Sequence, residues 1–280
     1  MKLKFTKMHG LGNDYVYVDT FEQPVPDPAA MAIAVSRPHF GVGADGLVLI
    51  GPSTEADYAM RMFNADGSEG EMCGNAVRCI GKYVHDRGLT AKTRVTLATR
   101  GGIKTLELQL QGGSVEQVTV DLGEPALSPA SLPVTLAGAQ VLNHPLSIDG
   151  QTHHITCVSM GNPHAVIFVD DPQAVDVHGI GRQIEHHPLF PKRTNVEFVR
   201  VWRRDLLEMR VWERGSGETL ACGTGAAASL VAAVLNGLAD RSAVVQLTGG
   251  ELHVHWDARD NHVYQTGPAT FVFDGVWLGA

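Results

Sequence analysis

Cys73-Gly74-Asn75-Ala76-Val77-Arg78-Cys79-Ile80-Gly81-Lys82-Tyr83-Val84-His85-Asp86-Arg87-Gly88 is one of two stretches that decide the fold. The other begins 149 positions later: Cys222-Gly223-Thr224-Gly225-Ala226-Ala227-Ala228-Ser229-Leu230-Val231-Ala232-Ala233-Val234-Leu235-Asn236-Gly237. In the first, Val77, Ile80 and Val84 share one helical face and Gly88 suits a C-terminal stop. The second is small or apolar all round, which predicts a helix enclosed by sheet. The same offset holds upstream. Met60-Arg61 meets Met209-Arg210, Asn64 meets Glu213, Gly46 meets Asn195, and Gly12-Asn13 meets Gly161-Asn162. Apolar runs follow on both sides, Leu47–Ile50 against Val196–Val199 and Tyr15–Val18 against Ala165–Val169. A constant offset over matched landmarks predicts duplication: two halves, each a set of strands leading to a cysteine and then a helix. Alternating segments such as Val95-Thr96-Leu97, Val118-Thr119-Val120 and Leu252–Trp256 add further strands. The Pro-rich stretch Gly123–Pro133 is the expected junction.

A cysteine at a helix N-terminus faces unpaired backbone N–H groups and the positive end of the dipole, which favour thiolate and also bind a carboxylate. The glycine after each cysteine allows a ligand close to the backbone. A pseudo-twofold axis relating the halves would set Cys73 and Cys222 on opposite faces of one carbon. One sulfur would then remove a proton and the other return it, inverting a stereocentre. Cys79 and Cys157 read as small buried hydrophobes.

The chain has 280 residues, 44% hydrophobic and 19% charged, with a net charge of −8. That is globular, long enough for two cores, and an unpromising partner for nucleic acid or an anionic membrane. No apolar run reaches membrane-span length, and Met1-Lys2-Leu3-Lys4-Phe5 opens no signal-peptide core, so a reducing, cytoplasmic location is expected. The four cysteines there are neither a disulfide framework nor spaced as a zinc site.

Several motifs occurring together and in order resemble those of the diaminopimelate epimerase family. They are Met8-His9-Gly10-Leu11-Gly12-Asn13-Asp14, Phe63–Ser68 leading to Cys73-Gly74-Asn75, and Gly161-Asn162-Pro163-His164. Arg193-Thr194-Asn195 and Glu213–Thr219 leading to Ala221-Cys222-Gly223-Thr224-Gly225 complete the set. The resemblance implies interconversion of LL- and meso-diaminopimelate without pyridoxal phosphate or metal, on the route to lysine and peptidoglycan. It implies an α/β (α+β) chain of two homologous domains, each a mixed sheet curled round a central helix, with the active site in the cleft between them. The expected domains are 1–124 plus 268–280, and 125–267. Carried over, the motifs assign catalysis to Cys73 and Cys222, and thiol tuning to His164 and Glu213. Substrate binding falls to Asn13, Asn64, Asn162, Asn195, Glu213 and Arg214 with the backbone at Gly74-Asn75 and Gly223-Thr224. A homodimer contact falls to Tyr264. The Arg214 fork suits a carboxylate, and polar groups left unpaired by a wrong ligand give selectivity. Some members of the family have glutamine where Gly46 stands.

Other readings compete. Gly41-Val42-Gly43-Ala44-Asp45-Gly46 matches a dinucleotide fingerprint but precedes a strand instead of following one. His153-His154 and His186-His187 lack metal-site context. A histidine, proline or hydroxyproline racemase, or a relative in phenazine synthesis, would keep the scaffold and change the substrate. A cysteine hydrolase with Cys222 as nucleophile and His164 as base would leave the matching Cys73 unexplained.

Overall fold

Strands that are apolar at every position need cover on both faces, and the fold supplies it twice. The chain is described here by a computed structural model covering residues 2–279. In order, the first elements are β1 (Leu3–Gly10), β2 (Asn13–Asp19), α1 (Pro28–Ser36), β3 (Gly46–Gly51), β4 (Tyr58–Asn64), β5 (Glu69–Gly70), α2 (Gly74–Asp86), β6 (Arg94–Thr99), β7 (Gly102–Gln111) and β8 (Ser114–Asp121). Then come β9 (His144–Ile148), β10 (Gln151–Ser159), β11 (Pro163–Phe168), α3 (Val177–Glu185), β12 (Asn195–Arg203), β13 (Leu206–Glu213), β14 (Gly217–Thr219) and α4 (Gly223–Leu235). Last are β15 (Ser242–Leu247), β16 (Gly250–Trp256), β17 (Val263–Pro268) and β18 (Thr270–Trp277). The chain divides into two compact units, Met1–Val120 with Gly267–Ala280, and Asp121–Thr266.

In the first unit β1 pairs antiparallel with β18 and β2, β2 runs parallel to β3, and β3 runs antiparallel to β4. Strand β4 then pairs antiparallel with β5 and parallel with β6, and an antiparallel meander β6–β7–β8 follows. The second unit repeats this plan from β9 to β17, with the parallel pairs β11–β12 and β13–β15. Even the register repeats: Tyr15 lies opposite Gly46 and Met62 opposite Gly70, while His164 lies opposite Asn195 and Val211 opposite Thr219. Every one of those positions differs by 149 from its counterpart.

One helix lies on each face of each sheet. Strand β3 is buried throughout. Its Leu47 and Leu49, with Val16 and Val18, pack against Ala32 and Val35 of α1. Helix α2 rests on the opposite face, with Val77, Ile80 and Val84 fully buried. A Cβ at Gly81 would lie 2.9 Å from Leu108, so glycine is what lets α2 sit down on the sheet. Helix α4 is buried at eleven consecutive positions, Gly223–Ala233. Burial of Leu230 and Val231 alone stabilises the unit by roughly 1.5–3 kcal/mol each. The outer helices α1 and α3, unforeseen from sequence, obey the same 149-residue offset, and each starts with an aspartate cap. Asp27 accepts from Ala30 N–H at 3.0 Å and Asp176 from Gly179 N–H at 2.9 Å. The Gly123–Pro133 stretch lies in the second unit, where Ala126 bridges Ser159 and Leu132 joins the core.

The end of α2 is tied to β8 through Asp86, which accepts from Lys82 Nζ, the Ser114 hydroxyl and Val115 N–H. Burial works against the charged carboxylate, but these donors and His85 more than offset it and hold its carboxyl well below the usual range. A depressed carboxyl stabilises the fold at pH values above the unfolded-state value and less as pH falls toward the folded one. Asp86→Asn is therefore expected to lower stability by about 1.5–3 kcal/mol at pH 7, with the gap to wild type closing as pH drops below about 4. Urea midpoints at several pH values measure this, and a gap independent of pH would refute it.

Candidate active site

Cys73 and Cys222 are the N-cap residues of α2 and α4, both with extended backbone, and neither side chain caps its helix. Each carbonyl takes the first helical hydrogen bond, from Val77 N–H at 2.9 Å and from Ala226 N–H at 3.0 Å. The N–H groups of the opening turn thus point outward beside a sulfur, a disposition that attracts an anion.

In the first unit Asn13, Asn64, Cys73, Gly74 and Asn75 were the expected site residues. Asn13 Oδ1 accepts from the Cys73 thiol at 3.3 Å and from Asn75 Nδ2 at 3.2 Å, while its own Nδ2 donates to Asp45 at 2.7 Å. A carboxylate can only accept, so Asp45 fixes which end of the Asn13 amide faces the sulfur. Asn75 Oδ1 in turn accepts from Arg78 Nη2 at 2.6 Å, and Arg78 Nε donates to the Pro268 carbonyl at 3.2 Å. Asn64 ends β4, with its Nδ2 donating to Ser68 Oγ at 3.0 Å. A Cβ at Gly46 would lie 2.0 Å from the Phe63 carbonyl oxygen, so this backbone admits no glutamine there.

The second unit gathers Asn162, His164, Asn195, Glu213, Cys222, Gly223 and Thr224. His164 Nε2 faces Asn162 Oδ1 at 3.0 Å, and Asn162 Nδ2 donates to Thr224 Oγ1 at 3.2 Å. Thr224 Oγ1 lies 3.7 Å from Cys222 Sγ. Because Asn162 Oδ1 can only accept, Nε2 carries a proton. The remaining ring nitrogen, Nδ1, is 2.6 Å from Glu197 Oε1. Both side chains of that pair are fully buried. Glu213 accepts from the Thr219 hydroxyl at 2.5 Å. Burial raises its carboxyl, with Thr219 and the Cys222 thiol opposing the rise. Burial likewise pushes the Cys222 thiol well up, and the Glu213 and Glu197 carboxylates push it further. Asn195 is a joint: its Nδ2 donates to the Pro163 carbonyl at 2.8 Å and its Oδ1 accepts from Arg214 N–H at 2.9 Å. The Arg214 side chain is exposed, with Nη1 donating to the Lys192 carbonyl at 3.3 Å. Gln265 Nε2 donates to the Gly223 carbonyl at 2.6 Å.

Glu197, Arg78, Asp45 and Gln265 of these networks were not foreseen. Glu197 is a charge inside the apolar run Val196–Val199, and Val48 stands at its matched position. Arg78 is fully buried on α2, matched by Ala227. Both were legible as unmatched charges in apolar surroundings. Asp45 lay inside the glycine-rich decoy and carried no such signal.

The decoy has its own explanation. The N–H groups of Gly41, Val42, Gly43 and Ala44 donate to the carbonyls of Arg37, Val35 and Ser36. They close the C-terminus of α1 and are not free to cradle a phosphate. Cys79 and Cys157 are buried, and burial pushes their thiols up to about 11 and about 12. Tyr264 is half-buried on β17, its hydroxyl donating to Asp260 at 2.7 Å.

The profile of a family described as diaminopimelate epimerase matches residues 5–128 and 156–272. A diaminopimelate epimerase of Acetivibrio thermocellus is 58% identical, with 98% of each chain covered. One of Methanococcus maripaludis is 51% identical, covering 98% of this chain and 99% of its own. A hydroxyproline epimerase of Agrobacterium vitis shares the fold at TM-score 0.71 and 15% identity, covering 99% of this chain and 91% of that one. A phenazine biosynthesis protein of Bacillus anthracis does so at 0.70 and 15%, with both chains fully covered.

Proposed function

The chain belongs to the diaminopimelate epimerase family, and we propose that it interconverts LL- and meso-2,6-diaminopimelate with Cys73 and Cys222 as its two acid–base groups. The observation that carries the roles is the repeated placement of a cysteine as N-cap at matched positions of two identically wired units. The thiolate of one cysteine takes the proton from the substrate α-carbon. The electron pair left on that carbon spreads into the adjacent carboxylate, which lies against helix N–H groups that stabilise the developing charge. The other thiol delivers its proton to the opposite face. Each turnover leaves the two sulfurs with exchanged protonation, and the pair titrates as a unit.

His164 and Glu213 tune Cys222. Asn13, Asn64, Asn162, Asn195, Glu213 and Arg214, with the backbone at Gly74-Asn75 and Gly223-Thr224, bind the substrate. The asymmetry between the halves, Asn64 against Glu213 and Asn75 against Thr224, fits a ligand whose two ends differ in their needs. Two domains, 1–124 plus 268–280 and 125–267, each bring one thiol. The enzyme works as a cytoplasmic homodimer with Tyr264 at the contact, in the supply of lysine and peptidoglycan precursors.

The hydrolase reading is disfavoured because His164 spends both ring nitrogens, on Glu197 and Asn162. Incubation with LL-diaminopimelate in deuterated water is expected to yield meso product carrying one deuterium at the inverted centre. Formation of a stable acyl-enzyme with no exchange at carbon would overturn the proposal, and faster turnover of free histidine or proline would reassign the substrate.

A further inference from the structure

The two cysteines are wired alike near the sulfur and unlike at the far end. Cys73, Asn13 and Asn75 form one linked trio, and Cys222, Asn162 and Thr224, each 149 positions on, form the other. Beyond the trio the first network ends at a guanidinium, Arg78, bonded to Asn75. The second ends at a carboxyl, Glu197, reached through His164. Neither charge has a counterpart: Ala227 matches Arg78 and Val48 matches Glu197. Both are fully buried, where a charge acts over a longer range than it does in water. Gly225 brings Glu197 close to the sulfur. The spot where its Cβ would sit is 2.8 Å from Glu197 Oε1 and 3.3 Å from Cys222 Sγ.

We propose that Arg78 and Glu197 are positioning residues that give the two thiols unlike roles in the free enzyme, Arg78 favouring the ionised form at Cys73 and Glu197 the protonated form at Cys222. The inference rests on the reading that both thiols exchange the substrate proton. Tyr17 and Cys79 act on Cys73 as well as Arg78. Both are held neutral at pH 7 by burial. Lys7, Asp14 and Asp45 stand behind Asn13. Cys222 faces Glu213 from β13 and Glu197 from β12, with His164 from β11 acting on Glu213. The Asn13 carbonyl opposes Arg78 by accepting the Cys73 proton, but a thiol bond to a neutral amide is weak beside a buried full charge.

The pH dependence of iodoacetamide alkylation tests this, followed by peptide mass spectrometry at Cys73 in Cys222→Ala and at Cys222 in Cys73→Ala. The midpoint is the readout, since access alone changes the plateau. Cys73 is expected to have the lower midpoint. Arg78→Met should raise it by about one pH unit, a tenfold change in ionisation. Arg78→Lys should restore it, and neither should move Cys222. Glu197→Gln should lower the Cys222 midpoint by a similar amount and leave Cys73 alone. Should Arg78→Met not fold, the order of the midpoints in the two cysteine variants, which retain both charges, still decides. A lower midpoint at Cys222, or midpoints unmoved by both charge variants, overturns the inference. Wild-type epimerisation by either cysteine variant would instead overturn the two-thiol reading beneath it.

Discussion

Cys73→Ala and Cys222→Ala are each expected to lower the rate of epimerisation by about 10²–10⁴-fold, the range of a lost general acid or base. The loss should be unequal in kind. A single remaining thiol can still remove a proton from the face it sees and return a solvent proton to that same face. Each variant should therefore wash deuterium into one stereoisomer of diaminopimelate without inverting it, and the two variants should choose opposite isomers. Chiral chromatography with mass detection resolves this. A variant that inverts at the wild-type rate, or two variants that label the same isomer, would rule out two thiols acting on opposite faces. Neither substitution removes a helix-capping side-chain bond. Unchanged melting temperatures are expected, which separates lost chemistry from lost fold.

The second large effect is on stability. His164→Leu would leave the Glu197 carboxyl, fully buried and with Oε2 already lacking a hydrogen bond among the described residues, without its ring partner. Removing one member of a buried ionisable pair costs about 3–5 kcal/mol. Adding Glu197→Val, the residue at the matched Val48, should recover most of that loss, because replacing a buried pair by packed apolar groups is often close to neutral. Urea unfolding of wild type, both single variants and the double variant closes the cycle. A His164→Leu protein within about 1 kcal/mol of wild type would show that the pair does not hold the second unit together.

Much of this was legible in the sequence because duplication leaves a record that local patterning does not. The offset between Cys73 and Cys222 extends to strand register and to the outer helices. The runs Leu47–Ile50 and Val196–Val199 read correctly as strands, and the structure buries both. Helices α1 and α3 escaped notice. Pro28–Ser36 is apolar nearly throughout and only nine residues long, so periodicity cannot distinguish it from a buried strand. The aspartate caps Asp27 and Asp176, at the same offset, were the available signal. At the candidate site, motif residues were recoverable, and Glu197 and Arg78 stood out as unmatched charges, but what each support touches was not. Asp45, Glu197 and Arg78 act through bonds spanning 3 to 33 positions, and only the fold brings those ends together. The role of Asn195 as a joint between strand ends has the same origin.

The burial of α4 on all sides bears on how this protein breathes. A helix ringed by strands β10–β13, β15 and β16 has no outer face from which to fray, so its amides can meet solvent only when the sheet of its unit opens. Hydrogen exchange along Ala226–Ala233 should then report global unfolding of the second unit. Helix α2, open to solvent along its later turns, should exchange sooner by local opening. Of the two sulfurs, Cys222 is the one anchored to backbone that almost never lets go.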